Sequence, residues 1–266
     1  MKNELNNGPV KNPWKLPYPK EGVTTQNIPE VELPASPEMR KGMRGVIVKV
    51  LTFLMWTLVG MRKQHAEKMP MEGPVIVIAE HKSILDIPMI HLSNKSWIYW
   101  LAKIELFQNR FGYRFFPWFG AIPVDRANMH VRTARDVLTT LREKKILGVF
   151  PQGKRCATEE EIRTTEPKMG VVSFAMRSGA KILPVAVEKN YRLFRPNRVI
   201  YGDLHEIRLP EGQKKLSDAD GRALALQMMQ AIFDLKGAKY PFEYPEGTEV
   251  SATRFLYPVE ATGKDG

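Results

Sequence analysis

Cysteine is almost absent from this sequence: Cys156 stands alone among 266 residues. That excludes an internal disulfide framework and any multi-cysteine metal site, and it fits a reducing, cytosol-facing location. Acidic residues are in deficit, 29 against 40 Lys and Arg, which leaves a formal charge of +11. A field of that sign draws a protein toward polyanions, either nucleic acid or anionic lipid. No zinc finger and no aromatic RNA-binding motif appears, so no nucleic-acid partner is expected. Five Trp and an apolar block beginning at Val46 turn the expectation toward lipid. The first forty residues contain no apolar leader core, so export by a cleaved leader is not expected. Apolar residues at 43% and charged residues at 26% are ordinary for a globular chain, which excludes wholesale disorder and a multi-span membrane protein. The length suits one α/β domain with appendages.

Proline is concentrated at the start, at Pro9, Pro13, Pro17, Pro19, Pro29, Pro34 and Pro37. Each removes a backbone donor and fixes a torsion, so residues 1–39 read as an extended arm. Its Trp14 and Tyr18 would anchor it on the domain or at a membrane interface; a disordered leader is the other reading. Residues 40–63 read as a membrane-associating helix. From Val46 to Met61 the chain is apolar almost all round, broken by Lys49 and two threonines. At about 1.5 Å per residue the run reaches roughly 24 Å, short of a hydrocarbon core of about 30 Å. Basic residues flank both ends (Arg40, Lys41, Arg44; Arg62, Lys63), without the asymmetry of a spanning helix. A helix lying in the headgroup boundary suits both facts, and a buried core helix is the alternative.

Residues 64–266 read as the catalytic domain. Short β-branched runs at 74–79, 96–101, 146–150 and 182–187 have the character of buried strands. Helical spacing fills 127–145 and 170–178, and Ser217 or Asp218 can cap a helix that ends by Gly237. Alternation of this kind predicts an α/β fold: a mainly parallel mixed sheet covered by helices, with the N-terminal membrane-interface helix outside it. The tail after Lys239 reads as irregular.

The chemistry gathers where strands end. The run PVIVIA leads directly into Glu80-His81-Lys82-Ser83-Ile84-Leu85-Asp86. In open α/β sheets ligands sit at that edge. Within one helix a five-residue separation would point His81 and Asp86 about 140° apart. His81 must therefore lie in the turn for Asp86 to reach its ring. A carboxylate on Nδ1 leaves Nε2 free as a general base. The same residues also fit a capping box, Ser83-x-x-Asp86, in which the carboxylate merely satisfies helix amides. Lys103 ends a strand, Gly120 to Arg126 forms a second edge, and Phe150-Pro-Gln-Gly-Lys-Arg155 leaves a third. Gly153 permits close backbone approach, and the guanidinium groups of Arg126 and Arg155 suit phosphate. His65, His91, His130 and His205 have no comparable setting, and no neighbouring histidine supports Cys156 as a nucleophile.

Together these segments resemble the four ordered sequence blocks of the glycerolipid acyltransferase family, whose best-known members are lysophosphatidic acid acyltransferases. The resemblance covers roughly residues 70–205. It implies that His81 is the catalytic base and Asp86 its orienting carboxylate, in the family's His-x4-Asp block. It assigns the acceptor's phosphate to Lys103, Arg126, Gly153 and Arg155, and makes Gln152 and Lys154 candidate acceptor contacts. Ile182-Leu-Pro184-Val-Ala186 matches the fourth block. Three positions depart from the pattern: Glu80 stands for asparagine, Gln152 for glutamate and Lys154 for threonine. The resemblance implies no metal and no cofactor, with acyl-CoA or acyl-carrier protein as donor substrate. The partners implied are an anionic membrane surface, a lysophospholipid and an acyl thioester, met at the cytoplasmic face of a membrane by a peripheral or monotopic enzyme. Another acceptor (glycerol 3-phosphate, another lysophospholipid, an amino-acid lipid) is the alternative, and a non-catalytic basic lipid- or nucleic-acid-binding module is the second.

Overall fold

A computed structural model describes residues 9–34, 36–125, 130–188 and 194–260. The strands are β1 (Met61–Gln64), β2 (Val75–Ala79), β3 (Ile98–Lys103), β4 (Ile122–Val124), β5 (Ile146–Val149), β6 (Lys181–Glu188), β7 (Asn197–Tyr201), β8 (His205–Ile207) and β9 (Leu256–Pro258). The helices are α1 (Ser36–Met39), α2 (Gly42–Thr57), α3 (Asp86–Leu92), α4 (Gly112–Trp118), α5 (Val131–Arg142), α6 (Glu159–Thr164), α7 (Met169–Ser178) and α8 (Asp218–Asp234).

One sheet runs in the order β1-β7-β6-β2-β5-β3-β4, with β8 pairing β6 and β9 pairing β8. Pairs β2/β5, β2/β6, β3/β5 and β3/β4 are parallel, whereas β6/β7, β6/β8 and β8/β9 are antiparallel. The expected mainly parallel mixed sheet is therefore present. Strand β2 is VIVIA with every residue buried, the continuous apolar signature of a strand covered on both faces. It pairs with β5 and β6 in the middle of the sheet, so whatever follows Ala79 emerges at the centre of the sheet's C-terminal edge. Helix α8 starts with a reciprocal cap, Ser217 with Asp220, and packs on β2 and β6 through Leu224, Met228 and Ile232.

Three expectations need correction. The apolar block is helical only as α2, because Gly60 at φ 64° turns the chain and Met61 is buried as the first residue of β1. A boundary at 63/64 therefore cuts a strand of the sheet. Strand β1, Met-Arg-Lys-Gln, has one buried residue and lies at the sheet's edge beside β7, so its sequence shows no apolar run. The tail is not wholly irregular, since Leu256–Pro258 pairs with His205–Ile207. The helix expected over 127–145 is α5, and 126–129 lie outside the described residues.

The described part of the proline-rich arm, 9–34, is docked on the domain. Ile28 is buried in a small cluster with Ala102, Phe107 and Tyr113. Carbonyls that prolines keep out of regular structure are satisfied by side chains instead: Arg132 donates to Gln26 and Ile28, Tyr113 to Asn27 at 2.8 Å, and Arg114 to Leu16 at 2.7 Å. A cavity of about 820 Å³ lies between this arm, β4 and α5.

Candidate active site

The turn between β2 and α3 brings His81 and Asp86 together. His81 Nδ1 lies 3.0 Å from Asp86 Oδ2, and the two side chains are 7% and 0% exposed. The same oxygen accepts the amides of Lys82 at 2.7 Å and Ser83 at 2.8 Å. Asp86 thus caps the turn and orients the imidazole at once, because the turn folds both kinds of donor around one carboxylate. The reciprocal half of a capping box is missing, since the Ser83 hydroxyl accepts from Leu85 N. With Nδ1 occupied, Nε2 is the nitrogen without a protein hydrogen bond among the described residues.

The ring is also held by its faces. His81 stacks on Phe150 with centroids 4.0 Å apart and planes 12° apart, and Phe150 stacks on Trp100 at 5.2 Å and 21°. Trp100 lies flat over Gly148 of β5, where a Cβ would come within 2.5 Å of the indole. The sequence gives neither aromatic a role beside the histidine. Phe150 directly precedes the Pro-Gln-Gly turn, and only the pairing of β2, β3 and β5 shows that its ring, and that of Trp100, meets the histidine.

Because β2, β5, β3 and β4 run parallel, the residues at their C-terminal ends share the edge occupied by His81. Cys156 N donates to His81 O at 2.7 Å, tying the loop after β5 to the histidine turn. Gly153 adopts φ 70°, and its amide closes the turn onto Phe150 O at 2.9 Å. Lys154 and Arg155 are exposed, and Arg155 has no ion pair or hydrogen bond among the described residues. Lys103 is half-exposed and paired with Glu105 at 2.7 Å. Arg126 lies outside the described residues. Gln152, a candidate acceptor contact, is buried at 1% exposure, with its amide turned toward Ile162 O and Tyr240 Oη at 3.4 Å. Cys156 is fully buried, which removes it from solution chemistry.

His91 is buried edge-on against Trp97, and burial with the nearby Arg40 holds it down to about 3, so it stays neutral. His65 and His130 are exposed beside Glu67 and Asp125, at 3.4 and 3.8 Å. Among the described residues no cluster of three or more His, Cys, Asp or Glu is disposed to hold a metal ion. The 820 Å³ cavity under the arm is lined by none of the residues around His81.

Residues 60–188 match the family model described as Acyltransferase. Over 130 residues the chain is 28% identical to the 1-acyl-sn-glycerol-3-phosphate acyltransferase of Bacillus subtilis, covering 48% of this chain and 63% of that protein. Over 151 residues it is 27% identical to the enzyme of the same name from Streptococcus pneumoniae, covering 54% and 52%. The chain thus spans under two thirds of the length of these relatives. The crystal structure of the 1-acyl-sn-glycerophosphate (LPA) acyltransferase PlsC from Thermotoga maritima superposes with a TM-score of 0.53 at 20% identity, over 73% of this chain and 80% of that one, a likeness of fold.

Proposed function

We infer that this chain, whose residues 60–188 match the Acyltransferase family model, transfers a fatty acyl group from acyl-CoA or acyl-carrier protein to the free hydroxyl of lysophosphatidic acid, giving phosphatidic acid. The observation that carries this reading is the His81–Asp86 pair at 3.0 Å, set at the sheet edge beside the Gly153–Arg155 loop.

In the proposed reaction Nε2 takes the hydroxyl proton as the oxygen attacks the thioester carbonyl. Asp86 stabilises the imidazolium, much as a carboxylate does in a serine-protease triad, with the substrate's own hydroxyl in place of serine. Collapse of the tetrahedral intermediate breaks the carbon–sulfur bond, and the imidazolium proton goes to the departing thiolate. No cofactor enters. Arg155, exposed at the edge and without an ion pair among the described residues, and the Gly153 turn are the groups we assign to the acceptor's phosphate, with Lys103, Arg126 and Lys154. A phosphate would have to draw Lys103 from Glu105.

The acceptor is a lipid, and α2 supplies the surface to meet it. Gly45, Val48 and Met55 face the domain while Met43, Val46, Val50, Phe53 and Trp56 are exposed, so the helix presents a second, outward apolar face. No described helix is long and apolar enough to cross a membrane. The C-terminal end of α2 lies on His81's side of the sheet: Met61 pairs with Asn197, just past the end of β6, and Leu58 O accepts from Phe194 N at 2.9 Å. Phe194 at 71% and Ile84, between His81 and Asp86, at 69% are exposed on that side. These features support a peripheral enzyme seated on an anionic lipid surface, at the cytoplasmic face, with its histidine turn toward the lipid.

The test is acyl transfer by the purified chain from acyl-CoA, and separately from acyl-carrier protein, to a panel of lysophosphatidic acid, glycerol 3-phosphate and lysophospholipids, with products read by mass spectrometry. Phosphatidic acid is the expected product. His81→Ala should lower its rate by about a thousandfold or more while thermal unfolding stays cooperative. Undiminished transfer by that variant would overturn the mechanism.

A further inference from the structure

The residue in front of the histidine is a carboxylate with almost no access to water. Glu80 is 1% exposed at the end of β2. Its Oε1 lies 2.7 Å from Lys236 Nζ, just past the end of α8, where the side chain is 14% exposed. The same ammonium sits 4.0 Å above the centre of the Phe233 ring. Glu80 Oε2 meets Lys82 Nζ at 3.2 Å, and Lys82 in turn donates its amide to Asp86 Oδ2. A continuous set of contacts therefore runs from the end of α8, through the residues on either side of His81, to the carboxylate that orients its ring.

Taking two charges out of water costs several kcal/mol per ion, and an apolar pair of the same shape is often as stable. A buried pair is thus poor as a simple brace. It is, however, sharply directional, and here it holds a loop whose geometry controls a reacting imidazole. We propose that Glu80 and Lys236 are positioning residues for acyl transfer: a charge-balanced strut that fixes the His81 turn against α8, each partner needed only to neutralise the other. This rests on His81 acting as the base.

Among the described residues the charged groups around the strut are few. Lys236 faces Glu80 and Lys82 from the histidine turn and Glu188 from β6, and Glu188 is itself engaged by Arg198 at 2.6 Å. Burial pulls the Lys236 ammonium below the usual lysine range, with Glu80 opposing it. Removing one partner therefore leaves a buried charge without its main counter-ion. In Glu80→Gln that group is an ammonium, so the defect should be worst at low pH and fade as pH rises and the amine loses its proton. In Lys236→Met it is a carboxylate left with Lys82 alone, at 3.2 Å. Neither charge remains in the double variant.

The experiment measures kcat and KM for lysophosphatidic acid from about pH 6 to 9, from within the usual histidine range to well above it, for wild type, Glu80→Gln, Lys236→Met, the double variant and His81→Ala. Thermal unfolding of each is recorded alongside. Expected are kcat losses of on the order of tenfold to a hundredfold in the single variants, the scale at which partners orienting a functional histidine act, with KM little changed. The loss in Glu80→Gln should shrink as pH rises, and the double variant should recover most of kcat. Should Lys236→Met fail to fold, the slope of Glu80→Gln and the recovery in the double variant carry the decision. A Glu80→Gln variant that follows the wild-type pH profile, or a double variant no better than the worse single one, would overturn the strut. Activity retained in His81→Ala would instead overturn the reading of the base, so the two failures are separable.

Discussion

Asp86 Oδ2 takes the His81 ring and two backbone amides together, so the distinction between a helix cap and an orienting carboxylate dissolves at this residue. Its position is set by the turn, and the plane of the imidazole is set elsewhere, by the stack of Phe150 and Trp100. Gly148 is what lets that stack lie flat. A methyl group there would sit 2.5 Å from the indole, too close for any contact, and the indole has Phe150 on its way to the histidine. Gly148→Ala should therefore destabilise the domain by about 1–3 kcal/mol, the usual cost of overpacking a core. It should also lower acyl transfer in the fraction that remains folded. Combining it with Trp100→Phe, which removes the clashing Cε3 and Cζ3 atoms while keeping Cδ2, should return part of the lost stability. Thermal unfolding and the transfer assay on the three variants check this; a Gly148→Ala protein as stable and active as wild type would show that the stack does not hold the ring.

At the scale of elements, α2 and the arm invert their sequence signatures. The most apolar stretch of the chain leaves Val50, Phe53 and Trp56 exposed, while the proline-rich arm buries Ile28 and gives its carbonyls to Arg114 and Arg132. The difference is one of partners: α2 needs only one stripe to pack on the domain, whereas the arm finds side-chain donors that replace the regular hydrogen bonds prolines deny it. If the outer face of α2 is what meets lipid, Phe53→Ser with Trp56→Ser should release the protein from vesicles of phosphatidylglycerol and phosphatidylethanolamine in a sedimentation assay. Folding should be spared, because both side chains are more than half exposed. Transfer to a short-chain acceptor below its micellar concentration should persist. Unchanged sedimentation would remove α2 from the account.

For the whole molecule the net charge of +11 acts beyond any single contact. Binding to the same anionic vesicles should weaken markedly between about 0.05 and 0.5 M salt, as the screening length falls below about 10 Å, and a salt-independent affinity would leave the apolar face as the only driver. Much of this organisation was legible in the chain. The strand at 74–79 announces itself by an unbroken apolar run, and the five-residue step from His81 to Asp86 requires a turn, because a helix would part them. The ordered blocks then placed the basic loops at one sheet edge, and the parallel pairing of β2, β5, β3 and β4 agrees. Some strands were not legible. Met61–Gln64 carries little apolar signal, since a strand at the margin of a sheet is held by its neighbour's backbone more than by its own burial, and His205–Ile207, between β6 and β9, is too short to show a pattern. Nor were the Trp100–Phe150–His81 stack and the Lys236–Glu80 contact, which join residues up to 156 positions apart. Local sequence determines periodicity, turns and which residues follow a strand, because those depend on near neighbours. Which ring lies on the histidine, and which lysine faces the buried carboxylate beside it, is decided only when distant segments pack, because proximity across the sheet leaves no trace in the order of residues.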